Sequence, residues 1–172
     1  VAAGDGVQQL FRDLGVQQIV SGGQTMNPST EDILHAAEQV PAMDVYVLPN
    51  NKNIVMAAEQ AARLARTSGV RRIHVVPTTT IPQGISAMMA YDESAEIKDN
   101  VEAMQEAASR VQSGSVTFAA RDSDYDGHQI KEGELLALEN GKVAFTGTDL
   151  GSVTAKVAKD LMREDSQFIT LL

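Results

Sequence analysis

Polar residues stand directly behind three apolar runs. Gln24, Thr25 and Asn27 follow Ile19-Val20, while Asn50, Asn51, Lys52 and Asn53 follow Val45-Tyr46-Val47-Leu48. Thr78, Thr79 and Gln83 follow Ile73-His74-Val75-Val76. Amides and hydroxyls donate and accept hydrogen bonds without titrating near neutral pH, so such a set binds and positions and supplies no catalytic base. Lys52 is the one cation among them, at the start of a helical pattern where exposed N–H groups favour an anion. It suits a phosphate or a carboxylate. The other reading is that Asn50, Asn51 and Asn53 cap the helix while Lys52 faces water.

Other candidate chemistry is weaker. Asp122-Ser123-Asp124-Tyr125-Asp126-Gly127 imitates the start of a calcium loop, but Gly133 stands where the bidentate glutamate belongs and strand patterns flank it. A tight turn is preferred, with Asp122 and Asp126 accepting backbone N–H bonds and Gly127 in the left-handed region. His35 falls in a helix, His74 in a strand and His128 near a hairpin, so they give no metal cluster. Ser21, Ser29, Thr78, Thr79 and Thr80 lack a visible base, and capping is the better role. Gly4-Asp5-Gly6 follows no strand, and Gln9 fills the third glycine position of a dinucleotide fingerprint. Neither catalytic residues nor metal ligands are assigned.

The elements that position the polar loops are three strand-loop-helix units, which predict an α/β fold with a parallel sheet and ligands or partners at the carboxyl ends of its strands. Val20, Val47 and Val75 are expected on adjacent strands. Asn27 before Pro28 suits an N-cap and first helical position, opening a helix over 28–40. A third, alanine-rich helix is predicted over 52–68 with Gly69 as its stop. A short helix follows Gly84, and Ile97, Val101, Met104, Ala108 and Val111 form one apolar stripe on the next. At Gly114 the period becomes alternating, with strands around Val116 to Ala120 and around Leu136 and Leu138, and Asn140-Gly141 makes a hairpin into Val143 and Phe145. One domain over 1–172 is expected: 1–92 the three units, 93–112 a helix, 113–148 the antiparallel excursion, and 149–172 a helix and closing strand. The start at Val1 and the apolar Phe168 to Leu172 read as an excised piece with its last strand cut off.

Length favours a single core of ordinary size. A net charge of −9 with no basic cluster opposes nucleic acid and anionic membranes as partners. No cysteine is present, which excludes disulfides and thiolate sites and suits a cytoplasmic location. No stretch resembles a signal or a transmembrane segment.

Gly22 to Asp32, Leu48 to Asn53 and Val76 to Gly84, followed by Asp99 to Met104, Ala120-Arg121-Asp122 and Asp126-Gly127, resemble the C-terminal region of the FakA family. These are ATP-binding components of bacterial fatty acid kinase, of the YloV type with a DAK2 domain, related to dihydroxyacetone kinases. The resemblance runs along essentially the whole chain. It implies that nucleotide and magnesium belong to a separate N-terminal domain and that this chain holds no cofactor. It also implies a DegV-like fatty-acid carrier, FakB, as partner, engaged by this domain so that the bound acyl carboxylate can be phosphorylated. The alternative is a small-substrate-binding domain like that of dihydroxyacetone kinases, which would use a histidine to hold its substrate.

Overall fold

The computed structural model describes every residue except 24, 25, 126, 127 and 165, and the side chain of His128. The chain divides into two compact units, Val1–Val111 and Gln112–Leu172. The division falls where the sequence period changes from helical to alternating.

In the first unit the order is α1 (Asp5–Asp13), α2 (Thr30–Gln39), β1 (Asp44–Val47), α3 (Lys52–Ser68), β2 (Arg72–Val75), α4 (Ile81–Met89) and α5 (Ile97–Arg110). β1 and β2 pair in parallel with Val45 opposite Ile73 and Val47 opposite Val75. Successive side chains on a strand alternate between faces. Val45 and Ile73 therefore enter one core with Ile33 and Ala37 of α2 and Ile54, Ala58, Ala61 and Ala65 of α3. Leu48 and Val76 enter another with Ala87 of α4 and Met104 and Ala108 of α5. Covering both faces is the usual solution for a parallel sheet, and the alanines let α3 approach the strands closely.

The first of the three expected strands does not form as a strand. Val16 to Val20 has no ladder, and only an isolated parallel bridge joins Ala2 to Ser21. Gln17 and Gln18 interrupt the apolar run, and Gly22 and Gly23 take positive φ of 151° and 113° directly after it. Two further corrections concern helix starts. Ser29, not Asn27, caps α2: its hydroxyl accepts from Asp32 N–H (3.1 Å) and the Asp32 carboxylate accepts from Ser29 N–H (2.8 Å). This reciprocal box satisfies two backbone donors where an asparagine before proline would satisfy one. Gln83 and Gly84 lie inside α4, because Thr80 caps it and Pro82 fits its first turn.

In the second unit, β3 (Gly114–Phe118), β6 (Leu135–Glu139) and β7 (Lys142–Gly147) form an antiparallel sheet in the order β3-β6-β7. β4 (Ser123–Tyr125) and β5 (His128–Ile130) make a separate hairpin. The turn between β6 and β7 is Asn140-Gly141, with φ of 49° and 81°, as the sequence predicts. α6 (Leu150–Leu161), capped by Asp149, covers one sheet face through Val153 and Val157 against Leu135 and Ala137. The inward pair on β6 is thus Leu135 and Ala137, with Leu136 and Leu138 half-buried on the other face. Gln167 to Leu172 forms no strand: no ladder includes it, and Phe168, Ile169, Leu171 and Leu172 are exposed. Among the described residues no helix is long and apolar enough to cross a membrane.

Candidate functional site

The polar residues behind β1 and β2 meet at the carboxyl ends of the two strands. Asn50 has φ of 56°, a left-handed conformation that asparagine tolerates better than most residues. Its backbone N–H donates to Thr78 Oγ1 (3.1 Å), and the Thr78 hydroxyl donates to Asn50 Oδ1 (2.7 Å). The Asn50 side-chain amide donates to Val1 O at 2.9 Å. Both side chains are buried, Thr78 completely. Buried polar groups need such closure, because an unpaired one costs roughly 1–3 kcal/mol. Gly84 makes room for this network: a Cβ there would stand 2.1 Å from Asn50 Oδ1.

Around this buried pair lies a rim of half-buried and exposed residues. Asn51 caps α3 through Asn53 N–H (2.9 Å), and its amide nitrogen donates to Gly23 O, tying the loop behind Ser21 to the same edge. Lys52 and Asn53 open α3 and are exposed. No ion pair found among the described residues involves Lys52. Gln83 Oε1 accepts from Thr79 N–H (2.7 Å) and Thr79 Oγ1 (2.9 Å), which fixes the third loop against the first turn of α4. Asn27 is exposed between Met26 and buried Pro28.

The sequence-derived residues therefore separate by role. Asn50 and Thr78 are internal struts. Lys52, Asn53 and Thr79, exposed, and Asn51 and Gln83, half-buried, form the rim, while Asn27 is exposed on the loop that Gly23 ties to it. Gln24 and Thr25 lie outside the described residues, as do Asp126 and Gly127 of the calcium-like stretch, where Asp122 Oδ1 accepts Glu132 N–H (2.7 Å). Sequence reasoning passed over Gly84 and Met26. A glycine inside the first turn of a helix pattern is a signal for close approach, and it was available. Met26 is 76% exposed, an apolar side chain on a loop that reads as polar.

Neither His35 nor His74 joins this edge. His35 pairs with Gln39 along α2. His74 Nε2 lies 2.8 Å from Asp44 Oδ1 at the amino end of β1, away from the loops. Arg72 also holds Asp44 in a two-pronged contact, and these two partners, Arg72 foremost, keep that carboxyl well below the usual carboxylate range. Among the described residues the edge offers hydrogen bonds, one cation and two helix starts and holds no acid–base pair, which suits recognition of a surface or an anion.

A family model for the C-terminal part of FakA-like fatty acid kinase proteins matches residues 1–172. Among curated relatives, an uncharacterized protein of Staphylococcus haemolyticus is 44% identical and one of Staphylococcus epidermidis 43% identical. In each case the match takes in all of this chain and 30% of the relative. A Staphylococcus aureus protein is 40% identical over the same 172 residues, 31% of its length. The chain thus spans less than a third of the relatives it matches.

Proposed function

The chain belongs to the FakA-like C-terminal family of fatty acid kinase proteins, and from that membership we propose that it is the docking domain of an ATP-dependent fatty acid kinase. Its partner is a DegV-like fatty-acid carrier, FakB, held so that the bound acyl carboxylate reaches a nucleotide-binding domain elsewhere in the longer protein. The observation that supports this best is the gathering of three loops at one sheet edge by bonds that reach across 28 residues. Such tying presets the rim of Asn27, Asn51, Lys52, Asn53, Thr79 and Gln83, with Asn50 and Thr78 as its struts. A rim of amides, hydroxyls and one cation predicts a polar, hydrated interface, with Met26 as its apolar contact.

Phosphate transfer is assigned to the remainder of the longer protein. The residues present do not fit ATP and magnesium: no glycine-rich loop ends in Lys-Ser or Lys-Thr, and among the described residues no group of three acidic or histidine side chains could hold a metal. The domain's contribution is position, which by itself can supply several kcal/mol to a reaction between two bound molecules.

Calorimetry with the lipid-loaded carrier tests this. Saturable binding is expected, weakened by Lys52→Glu by about 1–3 kcal/mol where the contact is desolvated, and weakened less by Asn51→Ala. Unchanged affinity in both variants, with loss of binding on substitution along the α5 stripe, would move the docking face. Saturable binding of dihydroxyacetone instead of the carrier would favour a small-substrate domain. The chain alone is expected to turn over no ATP.

A further inference from the structure

One edge of β1 is in use. Arg72 N–H donates to Met43 O (2.8 Å) and Val76 N–H to Val47 O (3.0 Å), so the odd-numbered residues turn their backbone groups toward β2. In a parallel ladder alternate residues face opposite edges. Asp44, Tyr46 and Leu48 therefore face the other way, into a cleft of about 390 Å³. Val16, Gln18 and Val20 form its far wall, and Ile33, Ala37 and Met104 close it from the two helix layers.

Val1 and Ala2 lie at the end of this cleft and already behave as a strand. Ala2 N–H donates to Val20 O (3.1 Å) and Gly22 N–H donates to Ala2 O (3.4 Å), a parallel bridge. On the other side the Val1 nitrogen donates to Leu48 O (2.6 Å), and the Asn50 side-chain amide donates to Val1 O (2.9 Å), standing in for a backbone rung. Desolvation lowers the pKa of the Val1 amino group to about 6. A peptide N–H in its place would make the same bond to Leu48 without a charge.

We propose that the cleft seats one more parallel strand, formed by the segment of the longer protein that leads into Val1 and running between residues 16–20 and β1. The cleft, its two walls, joined to the dipeptide among the described residues only at Val20 and Leu48, and the dipeptide aligned with them carry this inference, which does not rest on the docking role. The matched relatives have room for such a segment, since this chain equals 30% of their length. The two-residue repeat places successive rungs at Tyr46 and Asp44 on one side and at Gln18 and Val16 on the other, about four residues of strand. Both faces of that strand meet apolar layers, so it must be apolar throughout, with small or β-branched side chains. The sheet would then read 16–20, inserted strand, β1, β2, and the expected strand at Val20 would gain a ladder in place of its single bridge.

The test is an N-terminal extension of the chain. One version carries Val-Ile-Ala-Val before Val1 and the other Gly-Ser-Gly-Ser, and amide exchange is followed by NMR. The apolar extension is expected to slow exchange of the Gln18, Val20, Tyr46 and Leu48 amides at least tenfold and to raise the Tm by a few degrees. The Gly-Ser version should do neither. Equal exchange in the two extended chains overturns the proposal. So does protection of the same amides in the 172-residue chain with a dimer in sedimentation, which would make a second copy the occupant. Saturable protection of that chain by myristic acid, with the apolar extension without effect, would make the cleft a lipid site and overturns it equally.

Discussion

Gly84 in the first unit and Gly147 in the second both stand where a side chain does not fit, and what each admits is different. A Cβ on Gly84 would meet the Asn50 amide at 2.1 Å, whereas one on Gly147 would meet Val153 Cγ2 at 2.4 Å. In the first unit the close approach serves a closed polar network that spans loops far apart in sequence. In the second it lets an apolar helix settle on a sheet. The apolar contact can slide by fractions of an ångström, while the polar one fails once a donor loses its acceptor. The first unit therefore concentrates directional bonds at one edge, and that makes the edge suitable for recognition.

The largest effect that separates the two units is expected from Gly84→Ala. Displacing the Asn50 amide should remove about 3 kcal/mol of stability in urea and weaken carrier binding, while Gly147→Ala should cost about 1–2 kcal/mol and leave carrier binding unchanged. Next comes Thr78→Val, which keeps the volume but leaves Asn50 N–H and Oδ1 without partners. A loss of about 2 kcal/mol is expected, with Thr78→Ser recovering most of it, read from denaturation midpoints.

A smaller effect depends on pH. In the 172-residue chain taken by itself, the Val1 amino group has an ordinary pKa of 8.0 but about 6 in the fold. Between those values the unfolded chain holds a proton that the folded chain has released, so acidification favours unfolding. Stability should be full above pH 8, fall by about 2 kcal/mol as the pH drops to 6, and lose this dependence on N-terminal acetylation. Smallest is Asp149→Ala at the start of α6, whose carboxylate accepts Ser152 N–H at 2.8 Å. A loss of about 1 kcal/mol is expected, with no change in carrier binding. An Asp149 effect as large as that of Thr78 would erase the contrast between the units.

Much of the architecture was legible where the determinants are local. α3 runs over Lys52–Ser68 as its sequence predicts, because Asn51 caps it and Gly69 takes φ of 71° beyond it. The Asn140-Gly141 turn and the helix with Val153 and Val157 were equally local. What escaped depends on distant partners. Val16 to Val20 has strand composition at its end but only the single bridge through Ala2 beside it, and no ladder includes the run from Phe168. At the candidate site, all three loops were visible in sequence, but the division of Asn50 and Thr78 from their exposed neighbours was not. An asparagine is polar in either setting. Its burial follows from a threonine 28 residues away and a glycine in the next helix.

That separation also bears on the order in which the chain folds. The β6-β7 hairpin closes through two residues and can form on a microsecond scale, as isolated hairpins do. β1 and β2 can meet only after the whole of α3 has been threaded between them, and the Asn50–Thr78 bond cannot form before they do. Contacts of long sequence separation carry their loop-closure entropy into the barrier, so this sheet edge should be the last part of its unit to acquire native order.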